Sequence, residues 1–88
     1  MPLASEVTTW QEEDTGSDVS VTWLRSRVRT NVGPERFKAR LEALGLLDLA
    51  EHIDRYETNW HWIGTGKGYA ITWRPETSFA DLLPLARL

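Results

Sequence analysis

The chain has 88 residues, 41% hydrophobic and 26% charged, with ten Lys+Arg against thirteen Asp+Glu, five tryptophans and no cysteine. This is the size of one small domain, residues 1–88 with residues 1–4 expected to fray, burying about 60% of its unfolded surface. Without cysteine there is neither a disulfide scaffold nor a Cys-based zinc site. No apolar run approaches the roughly 20 residues of a membrane span, and no leader-like stretch follows Met1. A cytoplasmic protein with no membrane partner is expected.

The net charge of −3 conceals three blocks. Residues 1–24 hold Glu6, Glu12, Glu13, Asp14 and Asp18 with no base, a block of −5. Residues 25–40 hold Arg25, Arg27, Arg29, Arg36, Lys38 and Arg40 against Glu35, a block of +5, and residues 41–88 return to −3. Two readings follow. The basic block is a cationic patch for a phosphate or an acidic partner, or it pairs inside the fold with the acidic segment that precedes it.

In chain order, the first expected element is a hairpin. Trp10, Thr15, Gly16, Thr22 and Trp23 recur fifty residues on as Trp60, Thr65, Gly66, Thr72 and Trp73, a weak internal repeat. Gly16-Ser17 and Gly66-Lys67 each suit a two-residue type II′ turn, with Gly at its first central position. Such turns place Trp10 opposite Trp23, Glu6 opposite Arg27, and Trp60 opposite Trp73. By the period of two, Val19, Val21 and Trp23 share a face with Trp10, while Gln11, Glu13, Ser20 and Thr22 point away. In the second hairpin Trp60, Trp62, Tyr69, Ile71 and Trp73 share one face, and His61, Ile63, Ala70 and Thr72 the other. Each aromatic-rich face is expected to need cover.

The centre of the chain supplies that cover as helices. Gly33-Pro34 reads as a helix start, Phe37, Leu41 and Leu44 as its apolar stripe, and Gly45 as its C-terminal stop. Asp48 with Glu51 resembles a capping box opening a second helix, with Leu49, Ile53 and Tyr56 on one side. Ser78 with Asp81 opens a short last helix carrying Phe79, Leu82 and Leu83, disturbed by Pro84. The expected fold is α+β in ββααββα order: two β-hairpins form an antiparallel sheet of up to four strands packed on a central helical pair. A rival reading makes residues 18–32 helical, with Val21, Leu24, Val28 and Val32 at helical spacing, which gives the order of a winged helix-turn-helix. The β-branched run Val19–Ser20–Val21–Thr22 favours a strand, and an acidic recognition helix at Asp48–Glu57 would repel phosphates.

Motifs for chemistry are weak. Gly64-Thr65-Gly66-Lys67-Gly68 lacks the Walker spacing and feeds a strand-like run rather than a helix. His52 and His61 have no recognised metal-ligand spacing, and Glu12-Glu13-Asp14 lacks an EF-hand loop. No nucleophile-and-base set or environmentally separated carboxylate pair stands out. No enzyme activity, catalytic residue, metal or cofactor is therefore expected.

Size, aromatic surplus and arginine content point instead to a protein–protein interaction module, such as a small inhibitor, an immunity or antitoxin-type protein, or a regulatory protein. A homo-oligomer fits the same features. The alternative is nucleic-acid binding through the arginine-rich segment 25–40, opposed by the acidic flanks and a sequence pI near 5.3. The candidate partner-binding residues are Arg25, Arg27, Arg29, Arg36, Arg40, Trp62 and Lys67.

Overall fold

The computed structural model describes residues 3–16, 18, 20–60 and 64–88. Strands β1 (Glu6–Thr15) and β2 (Ser20–Arg29) are followed by helix α1 (Pro34–Ala43) and a single 3-10 turn at Leu47–Leu49. Strands β3 (Ala50–Trp60) and β4 (Gly64–Trp73) come next, and a 3-10 helix, Ala80–Arg87, ends the chain. The four strands form one antiparallel sheet in the order β1-β2-β4-β3. The expected mixed fold with a four-stranded antiparallel sheet is therefore present, but its middle differs.

The helix expected to open at Asp48 is strand β3. The spacing of Leu49, Ile53 and Tyr56 fits a helix, yet the ladder puts Ile53 opposite Ile71 and Tyr56 opposite Gly68, on opposite faces of the sheet. Without β3, β4 would be an unpaired edge. Satisfying the backbone of β4 outweighs a weak local helical pattern. The winged-helix alternative falls for a related reason, because residues 20–29 form the central strand β2, paired on both sides.

Both hairpin registers also differ from expectation. The first turn is longer than two residues, since β1 ends at Thr15 and β2 begins at Ser20. Trp10 stands opposite Arg25, Trp23 opposite Glu12, and Glu6 opposite Arg29 rather than Arg27. This two-residue slip keeps every side chain on its expected face, whereas a one-residue slip would have inverted them. The observed register sets Thr9 opposite Ser26 and Val7 opposite Val28. The shorter turn would have set buried Ser26 against Val7 with no hydroxyl partner. In the second hairpin Gly66 and Lys67 are inside β4, opposite Thr58 and Glu57, so they form no turn. Trp60 pairs with Gly64, and Trp73 with Ala50 beside an irregularity in the ladder. His61, Trp62 and Ile63 lie outside the described residues, as do Ser17 and Val19.

One sheet face carries the core. Leu24, Val28, Tyr69, Ile71 and Trp73 point into it and meet Phe37 and Leu41 of α1 with Leu46, Leu82, Leu85 and Leu88. Phe37 stacks on Tyr69 with centroids 4.1 Å apart, and the Tyr69 hydroxyl donates to the Val32 carbonyl at 2.6 Å. Helix α1 starts as expected, with Gly33 at the N-cap and Pro34 in the first turn. Its end is a Schellman arrangement. Gly45 takes φ +74°, its N–H donates to Glu42, and the Leu46 N–H donates to Leu41. The last helix is 3-10, and its period of three puts Leu82, Leu85 and Leu88 on one buried line. Ser78 and Asp81 exchange backbone-to-side-chain bonds at its start.

The first hairpin's aromatic face is not the covered one. The helical layer packs on the Leu24–Ser26–Val28 side of β2, so Trp10, Val21 and Trp23 lie on the opposite, open face. Trp73 and Ser26 are both fully buried, and the Trp73 indole N–H donates to the Ser26 hydroxyl at 2.8 Å. Thr9 Oγ1 meets the same hydroxyl at 2.8 Å, joining β1, β2 and β4 through one oxygen. Ser26→Ala strands a buried indole donor and is expected to lower unfolding free energy by about 1–3 kcal/mol. Urea titration followed by tryptophan fluorescence measures this, and a loss within error would remove the hydroxyl from its proposed role. Gly68→Ala is expected to destabilise by about 1–3 kcal/mol as an overpacking change, because a Cβ there collides with the Val28 carbonyl. The same titration measures it.

Candidate functional site

The open face of the sheet is built by the ladder in three cross-strand rows. Trp10, Arg25, Thr72 and His52 form the first, from β1 through β2 and β4 to β3. Thr8, Arg27, Ala70 and Asp54 form the second, and Glu6, Arg29, Gly68 and Tyr56 the third. Residues directly opposite in antiparallel strands share a face, so all twelve look the same way. Glu12 and Trp23 continue the pattern beyond the first row, where β1 and β2 run on past the β4 pairing.

Side chains on this face are already engaged with one another. Arg25 Nη1 donates to Glu12 Oε2 at 2.6 Å, and His52 Nε2 lies 2.9 Å from Asp54 Oδ1. The Arg27 guanidinium sits 5.2 Å from the centre of the Tyr56 ring. That reach crosses β4, and it is open because β4 presents only Gly68, Ala70 and Thr72 there. Tyr56 in turn fills the space above Gly68, its hydroxyl 2.9 Å from where a Cβ would stand. Trp10, Trp23 and Tyr56 are each half-buried, presenting ring surface to solvent.

Two clefts flank these rows. One of about 400 Å³ is bounded by Glu12, Glu13, Asp14, Trp23, Arg25 and Thr72. The Arg25 Nε is buried there without a hydrogen-bond partner. The other, about 290 Å³, is bounded by Ser5, Arg29, Thr30, Asn31 and Lys67. Among the described residues no group of three or more His, Asp or Glu is placed to hold a metal ion. Nor is any helix among them long and apolar enough to cross a membrane.

The residues nominated from the sequence divide across the sheet. Arg25, Arg27 and Arg29 stand together at period two on the open face. Arg36 and Arg40 are exposed on α1, which covers the other face, and Arg40 donates to the Arg87 carbonyl at 3.2 Å. Lys67, next to Gly68 in β4 and so on the side of Tyr69, pairs with Glu57 at 3.7 Å, and Trp62 lies outside the described residues. The acidic and basic blocks meet on the sheet surface rather than inside the fold, through the partly exposed Glu12–Arg25 pair, with Glu6 and Arg29 at facing backbone positions. Sequence reading assigned Trp10 and Trp23 to the core and Tyr56 to a helix, so it passed over all three as surface aromatics. The signal was present in the strand period. Once residues 20–29 are a strand, Trp23 must share the side of Arg25, Arg27 and Arg29.

The Glu12–Arg25 pair is partly exposed, with side-chain accessibilities of 51% and 31%. Glu12→Gln and Arg25→Gln in a double-mutant cycle are expected to show a coupling of about 0.2–1 kcal/mol that shrinks with added salt. Chemical denaturation at low and high ionic strength measures it. Comparison with family models, curated proteins and solved structures finds no match, so the reading rests on these residues.

Proposed function

We propose that this chain is a non-catalytic protein–protein interaction module, of small inhibitor, immunity or antitoxin type or a regulatory protein, and that it docks through the open face of its sheet. The observation that supports this is the gathering of Trp10, Trp23, Tyr56, Arg25 and Arg27 on one rigid, uncovered surface. Tryptophan, tyrosine and arginine supply most hot-spot energy in protein interfaces, because each combines a large contact area with a polar handle. A sheet face held by a packed layer behind it also loses little conformational entropy on binding.

Charge balance favours a protein over a nucleic acid. The basic row Arg25, Arg27, Arg29 is bordered on β1 by Glu6, Glu12 and Asp14 and faces Asp54 on β3. A phosphate chain laid on this face would meet carboxylates as closely as guanidiniums. A protein surface can match both signs at once. The arginine row beside Trp23 is the one arrangement that favours single-stranded nucleic acid, by charge and stacking.

The test is capture from native-host lysate with wild type, with Tyr56→Ala/Arg27→Ala on the open face, and with Arg36→Ala/Arg40→Ala on the helical side. A specific protein retained by wild type and the helix variant, and lost by the open-face variant, is the expected outcome. Equal retention by all three would overturn the assignment of the face. Retention on heparin at low salt that depends on Arg25, Arg27 and Arg29 would move the reading to nucleic acid.

A further inference from the structure

Hydrogen-bond direction alternates along a strand, so one bond fixes the rest. The Thr30 N–H donates to the Lys67 carbonyl at 2.9 Å, which turns the backbone of residue 30 toward β4. In an antiparallel ladder Val28, Ser26, Leu24, Thr22 and Ser20 then turn the same way, and the residues between them turn toward β1. The Arg29 carbonyl obeys this, accepting from the Ser5 N–H at 2.9 Å. Strand β4 pairs with β2 only along Arg25–Arg29 and ends at Trp73. Ser20 and Thr22, both exposed, therefore aim their N–H and C=O groups into an open notch beside β2. They have no backbone partner there among the described residues.

Exposed edges are ordinarily guarded by charge, proline or a bulge. The outer strand β1 carries Glu6, Glu12, Glu13 and Asp14, and the outer strand β3 carries four charged residues and a ladder irregularity between Ala50 and His52. The stretch Ser20–Leu24 has neither charge nor proline, and its Val21, Thr22 and Trp23 suit a strand. The cleft of about 400 Å³ over Trp23 reaches from the β1 carboxylates to Thr72, the last β4 residue paired with β2, so it borders this notch. Three carboxylates and one guanidinium line it. Arg25 is taken up by Glu12, and Asp14 has no partner among the described residues. The cleft is thus left negative beside an indole ring, which suits an ammonium or guanidinium group.

We infer that an extended segment of another protein adds to β2 along residues 20–23, in line with β4, with basic side chains at every second position. This inference rests on the chain being a protein-binding module and names the conformation and charge of the segment it binds. The outward N–H and C=O groups of Ser20 and Thr22 bond to the backbone of the added strand. Its residues opposite Trp23 and Val21 share the open face. The first enters the cleft, and the second crosses β2 toward Asp14, which stands opposite Val21 and two strand spacings away, about 10 Å. Arg27 makes such a crossing over β4 to Tyr56. A second copy pairing through the same stretch would bring no basic group to the cleft, so the occupant is a different protein. Pairing this short buries far less than a standard interface, so a free peptide binds at about millimolar concentration.

Capped pentapeptides of opposite charge test it, Lys-Val-Lys-Val-Lys against Glu-Val-Glu-Val-Glu, titrated into the full chain and followed by NMR. The lysine peptide is expected to bind at least about tenfold more tightly, and to protect the Ser20 and Thr22 amides from hydrogen exchange. Lys-Lys-Lys-Val-Val has the same charge without the alternation, and is expected to bind several-fold more weakly. That comparison separates strand addition from attraction to net charge. Asp14→Lys is expected to remove the preference for the lysine peptide. Thr22→Pro deletes one outward N–H without touching the β1 ladder, and is expected to weaken binding about tenfold. Far-ultraviolet circular dichroism checks that each variant is folded. If Thr22→Pro does not fold, Thr22→Lys sets a guarding charge on the same edge and provides the same comparison.

Lysine and glutamate peptides bound alike, no binding of the lysine peptide up to about 5 mM, or protection confined to β1 or β3 each overturn the assignment. If a lysate protein is still captured through Tyr56 and Arg27 in that case, the docking surface stands and the notch is no part of it. Peptide bound in the notch with capture indifferent to Tyr56 and Arg27 supports the inference and removes the rest of the open face from the interface.

Discussion

The largest fully buried side chain among the described residues, Trp73, carries one hydrogen-bond donor that must be satisfied away from water. Its acceptor is the hydroxyl of Ser26, itself fully buried on the central strand, and Thr9 on β1 meets the same oxygen. Three of the four strands are thereby held in relative position by one small polar cluster inside an otherwise apolar layer. Moving β1 by two residues along β2 leaves every residue on its face but removes Thr9 from Ser26. The polar demand of Trp73 and Ser26 thus discriminates between registers that hydrophobic patterning alone treats as equal.

The arrangement of the outer surface follows from that register. With Thr9 opposite Ser26, Glu6 falls level with Arg29 and Trp10 with Arg25, while Glu12 reaches diagonally to Arg25. The inner pairing is a matter of stability, and the outer pairing decides which charges neighbour which rings. Strand β4 contributes by what it lacks. Gly68, Ala70 and Thr72 form a low floor between β2 and β3, across which Arg27 reaches Tyr56. A larger residue at Gly68 would close that floor and strike the backbone of β2.

Cover is one-sided. Helix α1 and the last 3-10 helix present a single apolar line each, Phe37 with Leu41 and Leu82 with Leu85 and Leu88, which is enough for one face of a four-stranded sheet. The opposite face is left with charged and aromatic groups that satisfy one another sideways along the surface. Phe79 and Leu83 remain 51% and 74% exposed on the outer side of the last helix, away from that face's chemistry.

The amino-acid sequence by itself determined the locally encoded features. The start of α1 at Gly33-Pro34 and its stop at Gly45 depend on backbone preferences of those residues. The alternation of Tyr69, Ile71 and Trp73, and the shared side of Val21 and Trp23, depend only on the two-residue period of a strand. Only the tertiary structure decided that residues 50–57 are a strand, since their apolar spacing fits a helix until β4 requires a partner. It also decided both registers, because Gly16-Ser17 and Gly66-Lys67 are acceptable turn sequences whose use depends on distant pairs such as Thr9–Ser26 and Ile53–Ile71. The choice of covered face had the same origin. Both faces of β2 carry apolar residues, and the helical layer settled on the side where Leu24 and Val28 join Tyr69, Ile71 and Trp73. That left the arginines and tryptophans outward, and an uneven charge pattern in the chain became acidic and basic residues on neighbouring strands of one surface.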